Sequence, residues 1–495
     1  MFTSTRNKNI KIHASTAIKQ GISNEGGLFV PTEFKNVSKE KIAELCKEDY
    51  KGRAAYILGL VLDDFTPEEV KNCVDNAYTK EKFGDSPAPL KKIDNSAFAL
   101  ELWHGPTCAF KDMALQILPH LTTCSLKKTG EDKTVLILVA TSGDTGKAAL
   151  EGFADVEGTK ILVFYPTDGV SNIQKLQMTT QDGKNVAVCG IYGNFDDAQN
   201  GVKAIFTDNE VKKSLADKGY IFSSANSINW GRLAPQIVYY FSAYCDLCNA
   251  GEIELGEKIN ITVPTGNFGN ILAAYYAMKM GLPVNKFICA SNKNNILTDF
   301  IESGVYDKNR SFFTTASPSM DILISSNLER LLFDLCDCDD VKLSSFMNSL
   351  KNEGKYTIDK DMLDKLQSLF VGGYCDDIGT KECIKKTFDD FSYVIDTHTA
   401  VAVKVYNEYR EKTGDNTKTV IASTASPFKF NEAVIEALTG ENVNGQNEFE
   451  LLDKLSAIGN IEAPKALSQL KTKAVRFKDT CKKEDMLSAV NTMLK

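Results

Sequence analysis

Two segments of this sequence share one order of elements: a strand-like run of Val, Ile and Leu, a turn with glycine, and a helix-like run. Thr134 to Ala140 leads through TSGDTG into KAALEGFAD, and Ile259 to Val263 leads through PTGNFGN into ILAAYYAMKMG. Two more strand-like runs, 393–396 and 419–422, end in polar turns before helices. This alternation predicts an α/β protein with open, mostly parallel sheets and helices on both faces. Since ligands bind at the carboxyl ends of such strands, we expect these turns to form one site.

Size and composition favour a chain of several domains. With 495 residues, 43% of them hydrophobic, the chain can build two or three cores. Apolar runs such as 135–140 are far shorter than the roughly 20 residues of a membrane helix, so we expect no membrane partner. The 57 basic and 65 acidic residues give a net charge of -8, which offers no basic surface for nucleic acid.

The cysteines and the first residues predict a cytoplasmic protein. The 13 cysteines are odd in number and scattered, which favours reduced thiols over a disulfide framework. The start, Met1 to Arg6, lacks the basic and then apolar pattern of a secretory signal. The CxxC at 245–248 and the acidic run at 336–340 lack the spacing of zinc and calcium sites, so we expect no metal.

Lys111 is the first candidate for catalysis. It lies in ELWHGPTCAFKDMALQ, close in sequence to Trp103, Ala109 and Phe110. Burial disfavours the charged ammonium group and lowers its pKa, as a lysine that forms a Schiff base requires. Many lysines beside aromatic residues only extend along an apolar surface, so this feature alone leaves both interpretations open.

The turn TGNFGN at 265–270 is a candidate phosphate site. Its glycines at 266 and 269 leave the backbone N–H groups uncovered, and the positive end of the predicted helix follows. A phosphate dianion fits such a turn without a neighbouring cation. A plain tight turn remains the alternative.

The turn TSGDTGKAAL at 141–150 is a second candidate anion site. The hydroxyls of Ser142 and Thr145 and the N–H groups of a helix start suit a carboxylate. The segment is not a nucleotide-binding P-loop, because Thr141 stands where the first glycine should be and Ala148 follows the lysine.

A third candidate anion site lies in SSANSINWGRLAPQ at 223–236. Asn226, Ser227 and Arg232 combine amide and hydroxyl donors with a guanidinium, which suits forked recognition of phosphate oxygens. An arginine after a turn is more often only solvated, so the segment by itself is a weak signal.

Together these segments resemble the threonine synthase family of pyridoxal 5'-phosphate (PLP) enzymes, from the start of the chain to beyond Phe430. The matching motifs stand in the family's order: STR, GISNEGGLFVP, ELWHGPTCAFKD, ATSGDTG, SANSINWGR, VPTGNFGN, SPSMDILISSNLERLLFDL and IASTASPFKF. The resemblance implies a fold of type II, similar to the tryptophan synthase β subunit, and conversion of O-phospho-L-homoserine and water to L-threonine and phosphate. It leaves open a monomer or a homodimer.

The resemblance also implies a role for each candidate residue. Lys111 would carry PLP as a Schiff base, and Thr424 would hydrogen-bond the pyridine nitrogen. Ser142, Asp144 and Thr145 would lie near the substrate carboxylate and the cofactor. The cofactor phosphate would be held by Gly266, Asn267, Phe268, Gly269 and Asn270, and the substrate phosphate by Asn226, Ser227 and Arg232. Cys108 and Ser426 depart from the family, which often has leucine and histidine there.

The expected division of the chain follows the same resemblance. Residues 1–97 would form an N-terminal domain, 98–111 with 226–495 a large PLP-binding domain, and 112–225 a small substrate-binding domain. Residues of about 330–390 would be a helical surface insertion. Three other functions remain open: a phospho-lyase acting on the same substrate, a serine/threonine dehydratase, and a PLP-binding protein without turnover.

Overall fold

Two large sheets and two small ones organise the chain in a computed structural model, which describes residues 1–141, 143–168 and 170–494. The N-terminal elements are β1 (Phe2–Ser4), β2 (Asn7–Ile12), α1 (Ala14–Gln20), β3 (Phe29–Pro31), α2 (Lys39–Leu45), α3 (Tyr50–Val61), α4 (Pro67–Ala77) and α5 (Lys80–Phe83). The next are β4 (Leu90–Lys92), β5 (Ala97–Glu101), α6 (Asp112–Leu115) and α7 (Leu118–Lys128).

The middle of the chain supplies most of the smaller sheet. Its elements are β6 (Thr134–Ala140), α8 (Asp144–Phe153), β7 (Thr159–Pro166), α9 (Asn172–Thr179), β8 (Val186–Tyr192), α10 (Phe195–Thr207), α11 (Asn209–Asp217) and β9 (Tyr220–Ser223).

The remaining residues supply most of the larger sheet and its helices. They form α12 (Trp230–Asn249), β10 (Ile259–Pro264), α13 (Gly269–Lys279), β11 (Val284–Ser291), α14 (Ile296–Ser303), β12 (Val305–Asp307), α15 (Leu328–Leu335), α16 (Asp340–Asn352), β13 (Lys355–Thr357), α17 (Lys360–Leu369) and β14 (Phe370–Tyr374). The last elements are α18 (Asp377–Phe391), α19 (Thr397–Thr413), β15 (Thr419–Ser423), α20 (Asn431–Thr439), α21 (Glu448–Gly459), α22 (Lys465–Ser468), β16 (Thr480–Lys482) and α23 (Met486–Met493).

The larger sheet has six strands in the order β14-β11-β10-β15-β5-β4, and all its pairs are parallel except β4 with β5. The central strands β10 and β15 are buried along their whole length, as expected for parallel strands covered by helices on both faces. The smaller sheet has the order β16-β8-β7-β6-β9, and all its pairs are parallel. The predicted α/β class with helices on both faces is confirmed.

In each of the two large sheets the chain adds strands first on one side of an earlier strand and later on its other side, which makes a reversal there. In the smaller sheet β6 lies between β7 and β9, and in the larger sheet β10 lies between β11 and β15. Crevices open at such reversals, and ligands bind in them at the carboxyl ends of the strands. TSGDTG follows β6, SANSINWGR follows β9, TGNFGN follows β10 and Thr424 follows β15. The four predicted site segments therefore all lie at the two reversals.

We propose to keep the predicted three-part division, with exchanges that strand pairing dictates. β4 pairs with β5 in the larger sheet, although the predicted division places it in the N-terminal domain. β16 pairs with β8 in the smaller sheet, although the predicted division places it in the large domain. The segment predicted as a helical surface insertion contains β14, an edge strand parallel to β11. These strands are short, and β14 carries two glycines, so their sequences give little hydrophobic signal.

Gly152 lets helix α8 pack directly on the chain segment that follows Lys111. A Cβ atom at Gly152 would lie 2.0 Å from the carbonyl oxygen of Leu115, which is backbone of α6. Because backbone cannot move aside as a side chain does, the two elements would have to separate. The glycine therefore fixes the distance between α8 of the smaller sheet and α6 beside Lys111.

We predict that Gly152→Ala lowers the free energy of unfolding by about 1–3 kcal/mol, because overpacking outweighs the helix propensity of alanine. The matched control is Gly59→Ala in α3, where nothing lies within 4 Å of the added Cβ. That variant should be more stable by up to about 1 kcal/mol. Chemical denaturation of both variants checks this, and equal changes of the same sign would contradict it.

Candidate active site

Lys111 lies where the two sheets meet. It immediately precedes α6, and its side chain is 13% exposed. Its Nζ lies 3.8 Å from Oδ2 of Asp144 and donates to Oγ of Ser319 at 3.5 Å. Burial lowers the pKa of Lys111; Asp144 opposes this, while the charges of Lys429 and Arg232 add to it. A neutral amine is thus more accessible here than on an ordinary surface lysine.

Asp144 connects two lysines from different parts of the chain. It begins α8 at the edge of the smaller sheet, and its Oδ1 lies 2.6 Å from Nζ of Lys429, whose side chain is 0% exposed. Gln174 donates to the same oxygen at 3.0 Å. Burial opposes the charge on Asp144, yet Lys429, Lys111 and these hydrogen bonds hold its pKa below the usual range. Asp144 is therefore a buried carboxylate that stays ionised.

The turn TGNFGN approaches a second turn too closely for side chains. A Cβ at Gly266 would lie 2.6 Å from the carbonyl oxygen of Ser319. Phe268 has φ 63°, in the left-handed region, and directly precedes α13. The first N–H groups of α13 have no partner within the helix, and such groups suit a phosphate site.

Asn270, the second residue of α13, has a donor without a partner. Its Oδ1 accepts a hydrogen bond from the hydroxyl of Tyr240, while its buried Nδ2 has no partner among the described residues. Leaving a buried amide donor unsatisfied costs about 1–3 kcal/mol. A bound anion at the end of α13 would remove that cost.

Arg232 is a buried cation that lacks an acidic partner in the described part of the chain. Only 4% of the residue is exposed, and Nη1 donates to the carbonyl oxygen of Ala225 at 2.6 Å while Nε has no partner there. Burial lowers the pKa of Arg232 to about 10. Asn226 is exposed and Ser227 is half-buried, one turn ahead of α12. The segment offers an anion a strong cation at the base and polar groups at the mouth.

Thr424, Cys108 and Ser426 hold the turn after β15 against the segment that carries Lys111. Phe110 donates its N–H to the carbonyl oxygen of Thr424 at 2.8 Å, and Ser426 donates to that of Cys108 at 3.1 Å. The hydroxyl of Ser426 accepts from Phe428 N–H at 3.4 Å and so caps the short 3-10 turn that carries Lys429. Ser426 therefore has a structural contact of its own at this position.

A histidine anchors the turn that faces Gly266. The N–H of Ser319 donates to Nε2 of His398 at 3.2 Å, so the ring proton is on Nδ1, which donates to Asp396 at 2.7 Å. Both His398 and Asp396 are buried. This pair sets the position of Ser319, which in turn contacts Lys111.

The structure gathers the predicted candidates around one crevice, but their individual roles stay predictions. Thr145 is half-buried in the first turn of α8. Ser142 lies outside the described residues. Sequence reasoning missed Lys429 and Ser319, although both belong to quoted motifs, SPFKF and SPSMDI. Only the fold brings these two residues to Lys111, because they lie more than 200 positions away in sequence.

Comparison with known families gives the class first. The model "Pyridoxal-phosphate dependent enzyme" matches residues 83–425, which include Lys111, both glycine turns and Thr424. Because this match covers more than half of the chain, the chain belongs to the class of PLP-dependent enzymes. The models "Threonine synthase N terminus" and "Threonine synthase, C-terminal" match residues 1–78 and 399–490.

Comparison with individual proteins indicates the same family. Threonine synthase of Saccharomyces cerevisiae is 36% identical, with 92% of this chain and 93% of that protein covered. The solved PLP-bound threonine synthase of Brucella melitensis has a TM-score of 0.88 at 35% identity, covering 99% and 98%. The solved yeast enzyme has a TM-score of 0.89 at 34% identity, covering 100% and 98%. The chain belongs to the threonine synthase family.

Another group of relatives is longer. Human threonine synthase-like 1 is 39% identical over 88% of this chain, but the match spans only 59% of the human protein. The chain thus spans less than two thirds of the length of these relatives. No helix of the described residues is long and apolar enough to cross a membrane.

The residues of the crevice fit PLP. The Nδ2 of Asn270, which has no partner among the described residues, and the N–H groups that follow Phe268 suit the cofactor phosphate. Lys111, with its lowered pKa, suits the aldehyde, and Thr424 at the end of β15 suits the ring. Arg232 remains as a cation that the cofactor phosphate does not require.

We predict that Lys429→Met destabilises the protein by about 3 kcal/mol at neutral pH, because Asp144 keeps a buried charge without its nearest cation. A depressed carboxyl pKa stabilises the fold above the unfolded pKa, and that stability is lost as pH falls through the folded pKa. Removing Lys429 raises the pKa of Asp144. The stability difference from wild type should therefore shrink from neutral pH towards about pH 4.

Thermal and chemical unfolding of the holoenzyme across this pH range measures the difference. Lys404→Met is the control, because Lys404 forms an exposed pair with Glu408 at 3.1 Å. Its effect should stay within about 0.5 kcal/mol at every pH. A Lys429→Met effect that is independent of pH would contradict the prediction.

Proposed function

We propose that this chain converts O-phospho-L-homoserine and water to L-threonine and phosphate. The observation that carries the proposal is Arg232, buried and without an acidic partner in the described residues, in a crevice that already offers a separate phosphate turn. A buried guanidinium with an unsatisfied donor is costly, and Nε of Arg232 has no partner among the described residues, so Arg232 is expected to bind an anion. A substrate with its own phosphate satisfies that need.

One of the two anion sites is assigned to the cofactor phosphate and the other to the substrate phosphate. The turn at 265–270 supplies neutral N–H donors, which suit a phosphate that stays bound through many turnovers. Arg232 supplies a charged donor, which binds a phosphate group and holds it as negative charge grows during departure. The half-buried Ser227 and the exposed Asn226 stand at the mouth, where phosphate can leave.

Lys111 is the proposed proton carrier. When bound, PLP supplies an electron sink that acidifies the proton on the substrate Cα. The amine of Lys111 takes that proton and passes it to the phosphate group of the substrate, which leaves the amine free to take one from Cβ as the bond from Cγ to the phosphate oxygen breaks. The resulting ammonium returns its proton to Cγ. Water then adds its hydroxyl to Cβ and a proton to Cα, which gives threonine and hydrogen phosphate. Asp144, 3.8 Å from Nζ, stabilises the ammonium form while Lys111 holds the proton.

The other three functions make different demands on this site. A serine/threonine dehydratase acts on substrates without a phosphate, so Arg232 would have no anion to bind. A protein that only carries PLP would not need an acceptor for substrate protons beside the cofactor. A phospho-lyase would need the same residues as a threonine synthase, and its product separates the two.

We expect the purified holoenzyme to release threonine and inorganic phosphate from O-phospho-L-homoserine in equal amounts. Both products are quantified in one reaction, with Lys111→Ala as the variant that should lose turnover, since no other amine takes its place. Phosphate without threonine would identify a phospho-lyase. Release of neither would leave a PLP-binding protein as the better description.

Arg232→Ala should reduce kcat/KM for O-phospho-L-homoserine roughly ten- to hundredfold, because a charged hydrogen bond contributes about 1.5–3 kcal/mol. PLP content should stay at the wild-type level, since the cofactor phosphate is assigned to the other turn. Arg410→Ala is the control, because Arg410 pairs with Asp94 at 3.0 Å outside the crevice. Equal kinetics for wild type and Arg232→Ala would refute the assignment.

We further propose a cytoplasmic protein that is a monomer or a homodimer. All 13 cysteines are free thiols within the described residues, which supports a reducing compartment. Size-exclusion chromatography with light scattering would determine the number of subunits.

A further inference from the structure

Asn327 links two segments that come from different sheets. Asn327 is 0% exposed. Its Nδ2 donates to the carbonyl oxygen of Ser227 at 3.3 Å and to that of Asn267 at 3.1 Å. Its backbone N–H donates to Asn267 as well, at 3.1 Å. Ser227 belongs to the segment with Arg232, and Asn267 belongs to the turn before α13. One amide thus holds both anion sites.

Arg330, one turn later, holds Asn327 in place. Arg330 is 1% exposed, and its Nη1 donates to Oδ1 of Asn327 at 2.5 Å. It also donates to the carbonyl oxygens of Phe29 and Ile228 at 2.9 and 2.7 Å. Because Oδ1 accepts from Arg330, the amide nitrogen must face the two carbonyls. The orientation of Asn327 is therefore fixed by its partners.

The neighbouring glutamate has a different partner. Glu329 pairs with Arg6 at 2.7 Å and accepts from Thr5 at 2.6 Å, which ties α15 to the N-terminal strands. Arg330 thus has no acidic partner in the described residues, and its N–H groups donate to backbone carbonyl oxygens and to the amide oxygen of Asn327. Those bonds fix loop backbone, which a surface ion pair would not do.

We infer that Asn327, oriented by Arg330, is a positioning residue that sets the distance between the cofactor-phosphate turn and the substrate-phosphate segment. The inference rests on the proposed function, since it concerns the two phosphates of that reaction. A substrate joined to the cofactor must reach Arg232 with its own phosphate, so a change of this distance misplaces the reacting carbons. Loss of the link should impair both phosphate sites together.

A purely structural role would give a different result. Asn185 makes the same kind of contacts away from the crevice: its Nδ2 donates to the carbonyl oxygens of Phe153 and Thr159 at 2.8 and 3.0 Å, and its Oδ1 accepts from Asp155 N–H at 2.7 Å. Asn185→Ala is therefore the matched control. It should lower stability and leave both phosphate sites unchanged.

The experiment compares wild type, Asn327→Ala, Asn327→Asp, Asn185→Ala and Arg232→Ala as holoenzymes. Three quantities are measured: the rate of PLP loss on dialysis, the KM for O-phospho-L-homoserine, and the rise in unfolding temperature caused by inorganic phosphate. Asn327→Ala should lose PLP about tenfold faster and raise KM about tenfold, since each loop loses a buried hydrogen bond. Arg232→Ala should change only KM and the phosphate effect.

Asn327→Asp keeps the shape of the side chain and turns an oxygen towards the two carbonyls, so it should impair both sites even if the alanine variant folds poorly. The inference would be overturned if the rate of PLP loss and the KM stayed at wild-type values in both variants. It would also be overturned if only one of these two quantities changed. If wild type forms no threonine while Asn327→Asp still speeds PLP loss and abolishes the phosphate effect, the reaction is misassigned and the link stands.

Discussion

The buried ion pair of Lys429 with Asp144 is the interaction on which the site depends. It joins the turn after β15 of the larger sheet to α8, the helix that follows β6 of the smaller sheet. Without Lys429, the carboxylate beside Lys111 would tend to take up a proton, and Lys111 would lose a charged neighbour that steadies its ammonium form. The packing of the two sheets and the protonation state of Lys111 therefore depend on each other.

Much of this could be predicted from sequence because the strand, turn and helix order is a local signal. The turns after Ala140 and Pro264 carry glycine and polar residues at strand ends, and the parallel topology then brings them together. Lys111 has a local signal too, since apolar residues surround it. Eight motifs in order indicated the family and the reaction proposed for it, which single turns could not.

What could not be predicted are the contacts between distant segments. The sequence around Lys429 does not indicate that it pairs with Asp144, because the pairing depends on how the two sheets pack against each other. Asn327 looks like an ordinary helix start until its amide is seen between two carbonyls. The short strand β16 could not be predicted for another reason. Its three residues, TCK, carry too little hydrophobic pattern to indicate a strand.

The pairing of β16 with β8 has a consequence for how the chain folds. Cys189 and Cys481 lie with their sulfur atoms 3.5 Å apart although 292 positions separate them. Loop closure over such a span is slow, and the edge of β8 stays open until β16 arrives. During synthesis the ribosome delivers β16 long after β8, so the smaller sheet passes through a period with an unpaired, aggregation-prone edge. Chaperone demand should therefore be greatest for chains that stop before residue 480.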